Sequence, residues 1–227
     1  MRLAALLGCL FVGSASAADG WKASVVKQPP PAAVSAEVRD VLADEAVRIV
    51  DDHGQKFADI WLRRSVPSAA KPAGPKGPVQ FPFLAEGELI GVLELATEGH
   101  DYRDQSIAKG CYTMRYGLQP VNGDHLGVST YRDYSLLLPA AKDTSLALPK
   151  RKQLEERSAE SAGTTHPAVL IMFTAARAKG AAEATSMVHD SEKNLWSVVL
   201  PLKLRVKGDN ESIDFPVRVV VVGVAQV

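Results

Sequence analysis

A series of short apolar runs constrains this chain more than any other feature. They are Gly87–Ala96 (GELIGVLELA), Cys111–Gly117 (CYTMRYG), Asp133–Pro139 (DYSLLLP), Ala168–Thr174 (AVLIMFT) and Phe215–Val227 (FPVRVVVVGVAQV). Each is brief, rich in β-branched, aliphatic or aromatic residues, and bounded by turn formers, which predicts strands rather than helices. In the second run Tyr112, Met114 and Tyr116 share one face of a pleated strand, and Cys111, Thr113 and Arg115 share the other. Thr185–His189 and Leu195–Val206 add a pair around the turn at 190–194. Residues 45–66 read as a hairpin around His53-Gly54, because glycine supplies the positive φ of a tight turn. Two helices are expected. One spans 35–43 with Ser35 as its cap, and the other spans 149–161, polar almost all round, with Leu154 as its anchor. About nine strands, little helix and no βαβ alternation predict an all-β sandwich, with a lipocalin-like barrel as the competing architecture.

The chain has 227 residues and is 46% hydrophobic, enough for a sizeable core in one domain. Residues 1–18 have the order of a secretory signal peptide: Arg2, the apolar run Leu3–Val12, then small residues ending in Ala15-Ser16-Ala17. That run is shorter than the roughly 20 residues a spanning helix needs, and no other stretch is long and apolar enough, so no transmembrane segment is expected. Acylation of Cys9 is the weaker alternative, since Leu7 is bulky beside the glycine. Export makes the protein secreted or periplasmic and leaves Cys111 as the mature chain's single cysteine, read as a buried thiol. Residues 19–34, with Pro29-Pro30-Pro31, are expected as an extended lead-in. A single domain then spans 35–227. Within it Pro67, Pro72, Gly74, Pro75, Gly77, Pro78 and Pro82 make 66–82 a long loop, because proline gives no ladder donor.

Basic and acidic residues balance at 26 each, so no charge excess points to nucleic acid. There is no G-x-S-x-G elbow, P-loop or dinucleotide fingerprint. Polar residues that suit a binding loop are Asp101, Tyr102, Arg103, His125, Tyr131, Arg132 and Asp133. Arg132 beside Asp133 is expected to make a bidentate pair that holds the loop. Tyr102, Tyr112, Tyr116, Tyr131 and Tyr134 form a tyrosine cluster, Trp61 and Trp196 read as core, and Trp21 lies just past the cleavage point. A second reading uses His125, His166, Asp124 and Asp133. Imidazole nitrogen and carboxylate oxygen suit zinc, and an open position would activate water for hydrolysis. No H-E-x-x-H or H-x-H spacing accompanies them.

The run from His100 to Ala140 resembles a group of exported bacterial proteins of unknown function, of planctomycete type. The shared pattern is D-Y-R, then G-x-Y-T-x-R-Y, D-H-x-G-V and Y-R-D, here Asp101–Arg103, Gly110–Tyr116, Asp124–Val128 and Tyr131–Asp133. Residues 52–64 and Thr165–Ala168 extend the likeness. The resemblance implies an immunoglobulin-like or transthyretin-like β-sandwich and no activity. The leading expectation is a non-catalytic exported protein without cofactor. It would bind or scaffold an envelope protein, a peptide or a carbohydrate, with a zinc-dependent hydrolase as the alternative.

Overall fold

The computed structural model describes residues 20–121, 132–175 and 185–225. Its main sheet contains β1 (Lys22–Val26), β2 (Ala46–Val50), β3 (Lys56–Leu62), β5 (Leu89–Leu95) and β8 (Gly110–Leu118) in its first half. The second half holds β9 (Asp133–Pro139), β10 (Val169–Thr174), β15 (Val217–Val222), β12 (Leu195–Leu200) and β11 (Met187–Asp190). These ten strands are hydrogen-bonded in the order just given, and every ladder between them is antiparallel. A smaller sheet joins β14 (Ser212–Asp214), β13 (Lys203–Val206) and β4 (Val66–Ser68), and β6 (Gly99–His100) pairs with β7 (Ser106–Ile107). The helices are α1 (Ala36–Arg39) and α2 (Arg151–Ala162). None of the described helices is long and apolar enough to cross a membrane.

Period-two burial explains the architecture. Alternate residues of the long strands turn to one face and meet in a single core: Ile49 and Ile60 from one end of the sheet touch the same cluster as Val198 and Val219 from the other. A sheet whose first and last strands share a core must curl, and the result is a sandwich closing towards a barrel. Tyr112, Met114 and Tyr116 lie in this core, on the face their spacing predicts. Phe81, Phe83 and Phe215 plug it with edge-on ring contacts of 5.2–6.3 Å. Gly91 sits at a bulge in β5, where a Cβ would lie 2.3 Å from the Trp61 carbonyl oxygen.

The outer face carries two smaller cores. One gathers Trp61, Leu89 and Val92 of the sheet beneath Val34, Val38 and Leu42 around α1. The other gathers Tyr134, Leu136, Val169 and Ile171 beneath Leu154 of α2. Ser35 caps α1 by accepting from the Val38 amide at 3.3 Å. α2 ends at Gly163, whose φ of 63° is left-handed.

The all-β expectation holds, but the described residues contain fifteen strands rather than about nine. The excess comes from strands such as β4, β6, β7 and β14, which are too short to display a period. The expected lead-in contains β1, paired with β2 from Lys22↔Val50 to Val26↔Ala46. Its Trp21 stands edge-on to Phe57 at 5.0 Å. The Pro/Gly-rich segment likewise contributes β4 and buries Gln80 and Phe81. Cys111 is partly buried beside the α1-side core, and burial chiefly, with Glu94 adding to it, pushes its thiol up to about 12.

Candidate functional site

The site begins with a turn. Between β6 and β7, Asp101 is buried, and its carboxylate accepts from the amides of Arg103 at 2.8 Å, Gln105 at 2.9 Å and Val169 at 3.0 Å. The Gln105 side-chain amide adds a fourth bond at 2.8 Å. A carboxylate saturated by backbone donors is a brace, and this one ties the turn to β10. Asp104 completes the turn in the left-handed region at φ 63°. The Tyr102 amide donates to the Val169 carbonyl, and the Tyr102 carbonyl accepts from Ala225 at 2.8 Å, which docks the chain's last described residues on the turn.

The turn thereby carries Tyr102 and Arg103 to the outer face of the sheet. The opposite wall is α2. Few of its residues are apolar, so hydroxyls help to fasten it: Ser158 donates to the Ala168 carbonyl at 3.0 Å and Ser161 to the Leu137 carbonyl at 2.9 Å. Between turn and helix lies a cleft of about 960 Å³. Leu136, Val169, Pro167 and Val224 give it apolar lining, Tyr102 and Tyr134 line it with phenol rings, and Arg103, Lys152, Glu155, Glu156 and His166 stand around it.

Its charges are mostly paired. Glu155 accepts from Arg151 Nε at 2.9 Å, Glu156 lies 3.8 Å from Lys152, and Asp104 lies 3.0 Å from His100. Burial raises both tyrosine hydroxyls. Tyr134 is pushed up to about 12, burial leading and Tyr102 adding, with the Arg103 charge opposing the rise. Both phenols are therefore protonated at neutral pH and available as donors.

The structure disperses part of the predicted site. Tyr102, Arg103 and His166 meet at the cleft, whereas Asp101 points away into its brace. Asp133 is fully buried on the opposite, inner side. It accepts from the amides of Gln80 at 2.8 Å and Phe81 at 3.0 Å and from the Tyr116 hydroxyl at 2.7 Å. Among the described residues no ion pair joins it to Arg132, whose Nε donates to the Gln119 carbonyl at 2.8 Å. Neighbours in extended backbone point to opposite sides, so adjacency in sequence worked against that pair. Of the residues named for zinc, Asp133 faces the inner core and His166 lines the cleft. His125, Asp124 and Tyr131 lie outside the described residues. Among the described residues no group of three or more His, Cys, Asp and Glu side chains is gathered as a cation site.

Sequence reading missed Leu136, Val169, Lys152 and Glu155 as site residues. The one available signal was α2 itself: a polar helix with a single strong anchor cannot cover a sheet face completely. In comparisons with known proteins, the chain matches no family model, no curated protein and no solved structure.

Proposed function

We propose that this is an exported, non-catalytic binding protein whose ligand occupies the cleft between α2 and the Asp101–Asp104 turn. The cleft carries the reading. Its volume of about 960 Å³ falls near the top of the range of roughly 300–1,000 Å³ for small-molecule sites. It combines apolar lining with a few polar groups at the rim, the composition of a site that encloses a body and orients its end. A concave site of this size suits a small molecule or a short peptide better than the flat surface of a protein partner. The export half of the reading rests on the charged, apolar and small-residue order of residues 1–18.

Two measurements test it. A neutral apolar dye such as Nile red is expected to bind the wild-type chain with unit stoichiometry and to be displaced from Ala225→Trp, which places an indole in the cleft at a half-buried position. Equal dye binding by both proteins overturns the cleft as the site. For export, the mature chain recovered from cells is expected to begin at Ala18 or Asp19 outside the cytosol. An unprocessed chain in the cytosolic fraction overturns that half.

A further inference from the structure

The rim of the cleft is electrostatically uneven, and the inference drawn from it rests on the binding reading above. Of its carboxylates, Glu155 and Glu156 each have a basic partner within 4 Å, Arg151 and Lys152, and Asp104 lies 3.0 Å from the His100 ring nitrogen. Arg103 differs. Its backbone amide is held by Asp101 at 2.8 Å, which sets where the side chain starts. Its guanidinium, however, has no hydrogen bond or ion pair among the described residues. The Tyr102 and Tyr134 hydroxyls, on residues lining the same cleft, also make no hydrogen bond among the described residues, although Tyr134 is buried to 7% exposure. An exposed guanidinium and two phenols, none of them hydrogen-bonded to another described residue, thus line the same largely apolar recess.

We propose that the cleft takes a small amphiphile bearing one carboxylate. Its apolar body lies on Leu136, Val169 and the Tyr134 ring, and its carboxylate is forked by the Arg103 guanidinium. Guanidinium geometry matches two carboxylate oxygens at once, which a lone ammonium cannot do. The phenols can add donors to the same oxygens. A cationic ligand would meet Arg103 uncompensated.

The test compares two ligands of nearly equal shape, 1-naphthaleneacetate and its primary amide, by isothermal titration calorimetry on the wild-type chain. The acid is expected to bind about tenfold more tightly or better, as charge-assisted pairing adds to shared apolar contact. Arg103→Gln is expected to bring the two ligands within about twofold of each other while leaving amide affinity in place. Since that side chain supports no other described residue, its removal is expected to leave the melting temperature unchanged, so lost binding cannot be blamed on lost folding. Equal affinities in the wild type, or a preference that survives Arg103→Gln, overturn the carboxylate assignment and leave the cleft reading standing. Binding of neither ligand, or binding indifferent to Ala225→Trp, overturns the cleft reading as well.

Discussion

The two halves of the sheet's outer face start from similar materials and end differently. On one side a four-residue helix, α1, and its flanks cover Trp61, Leu89 and Val92, and Trp61 becomes fully buried. On the other side α2, twelve residues long, covers Tyr134, Leu136 and Ile171 yet leaves a cleft beside them. Helix length does not decide the outcome. The α1 side is stitched by polar groups beneath the cover. Arg115, buried completely, donates to Asp143 through Nε at 2.6 Å and Nη2 at 3.0 Å, and through Nη1 to the Gly87 carbonyl at 2.6 Å. Thr113 also donates to Asp143, and Arg157 of α2 lies 4.0 Å from it. Glu37 accepts from the Leu146 amide at 2.8 Å and Ser35 donates to the Thr144 carbonyl at 2.8 Å. These bonds bind residues 140–147 and α1 to each other and to β8. The α2 side has Leu154 and two serine hydroxyls, and its charged groups pair at the helix margins: Arg157 lies 4.0 Å from Asp143, Glu160 accepts from Lys142 at 2.6 Å, and Arg151 donates to the Leu118 carbonyl at 3.0 Å. Polar groups are paired beneath both covers; what the α1 side adds is the buried Arg115–Asp143 ion pair, and the α2 side, held by single hydroxyl bonds, leaves a cleft beside it.

The strongest way to break that contrast is Asp143→Ala. It leaves the Arg115 guanidinium buried without its carboxylate, and the expected loss is about 3–5 kcal/mol, read by chemical denaturation. A loss below about 1 kcal/mol, the range of an exposed pair, would mean the α1 side is not held from beneath. Next comes Leu154→Ala, expected to cost roughly 2–3 kcal/mol as a large-to-small change in a small core that can partly collapse. Its sharper signature is local. Hydrogen exchange should rise across 151–162 and leave 36–39 unchanged, and equal rises in both would show that the two covers are not independent.

A smaller effect concerns pH on the α1 side. Burial pushes the Asp59 carboxyl up, but hydrogen bonds and charges from Arg48 and Lys56 outweigh it and leave the group below its ordinary value. Arg48 meets it at 2.8 and 2.9 Å, and Lys56 at 3.3 Å. A depressed acid contributes stability that is present above its unfolded value of about 3.9 and is lost as pH falls through the folded value. Asp59→Asn is therefore expected to cost on the order of 1–2 kcal/mol at neutral pH and to flatten the acid limb of the stability profile. An unchanged slope below pH 4 would show that the pair does not couple to folding.

Local pattern made much of the fold legible. The long strands, the hairpin at His53-Gly54, the Ser35 cap and the Leu154 anchor are all decided by neighbours a few residues apart. β9 matches its sequence reading from Asp133 to Pro139. Strands of two or three residues escaped because they have no period to read. β1 escaped because prolines follow it and it is largely exposed. Gln80 and Phe81 were hidden in a Pro/Gly-rich loop, where nothing local announces that Asp133 will claim their amides.

The candidate site was legible only in fragments. The sequence singles out Asp101-Tyr102-Arg103 as a unit, and the structure splits its members: the carboxylate turns inward as a brace, and the tyrosine and arginine line the cleft. What the amino-acid order determined unaided was which stretches pleat and which of their sides is oily, since both follow from chemistry repeated every second residue. What only tertiary structure decided was which of those oily sides would be covered. That depends on helices and turns arriving from distant parts of the chain, and on whether the polar groups caught beneath them find partners there.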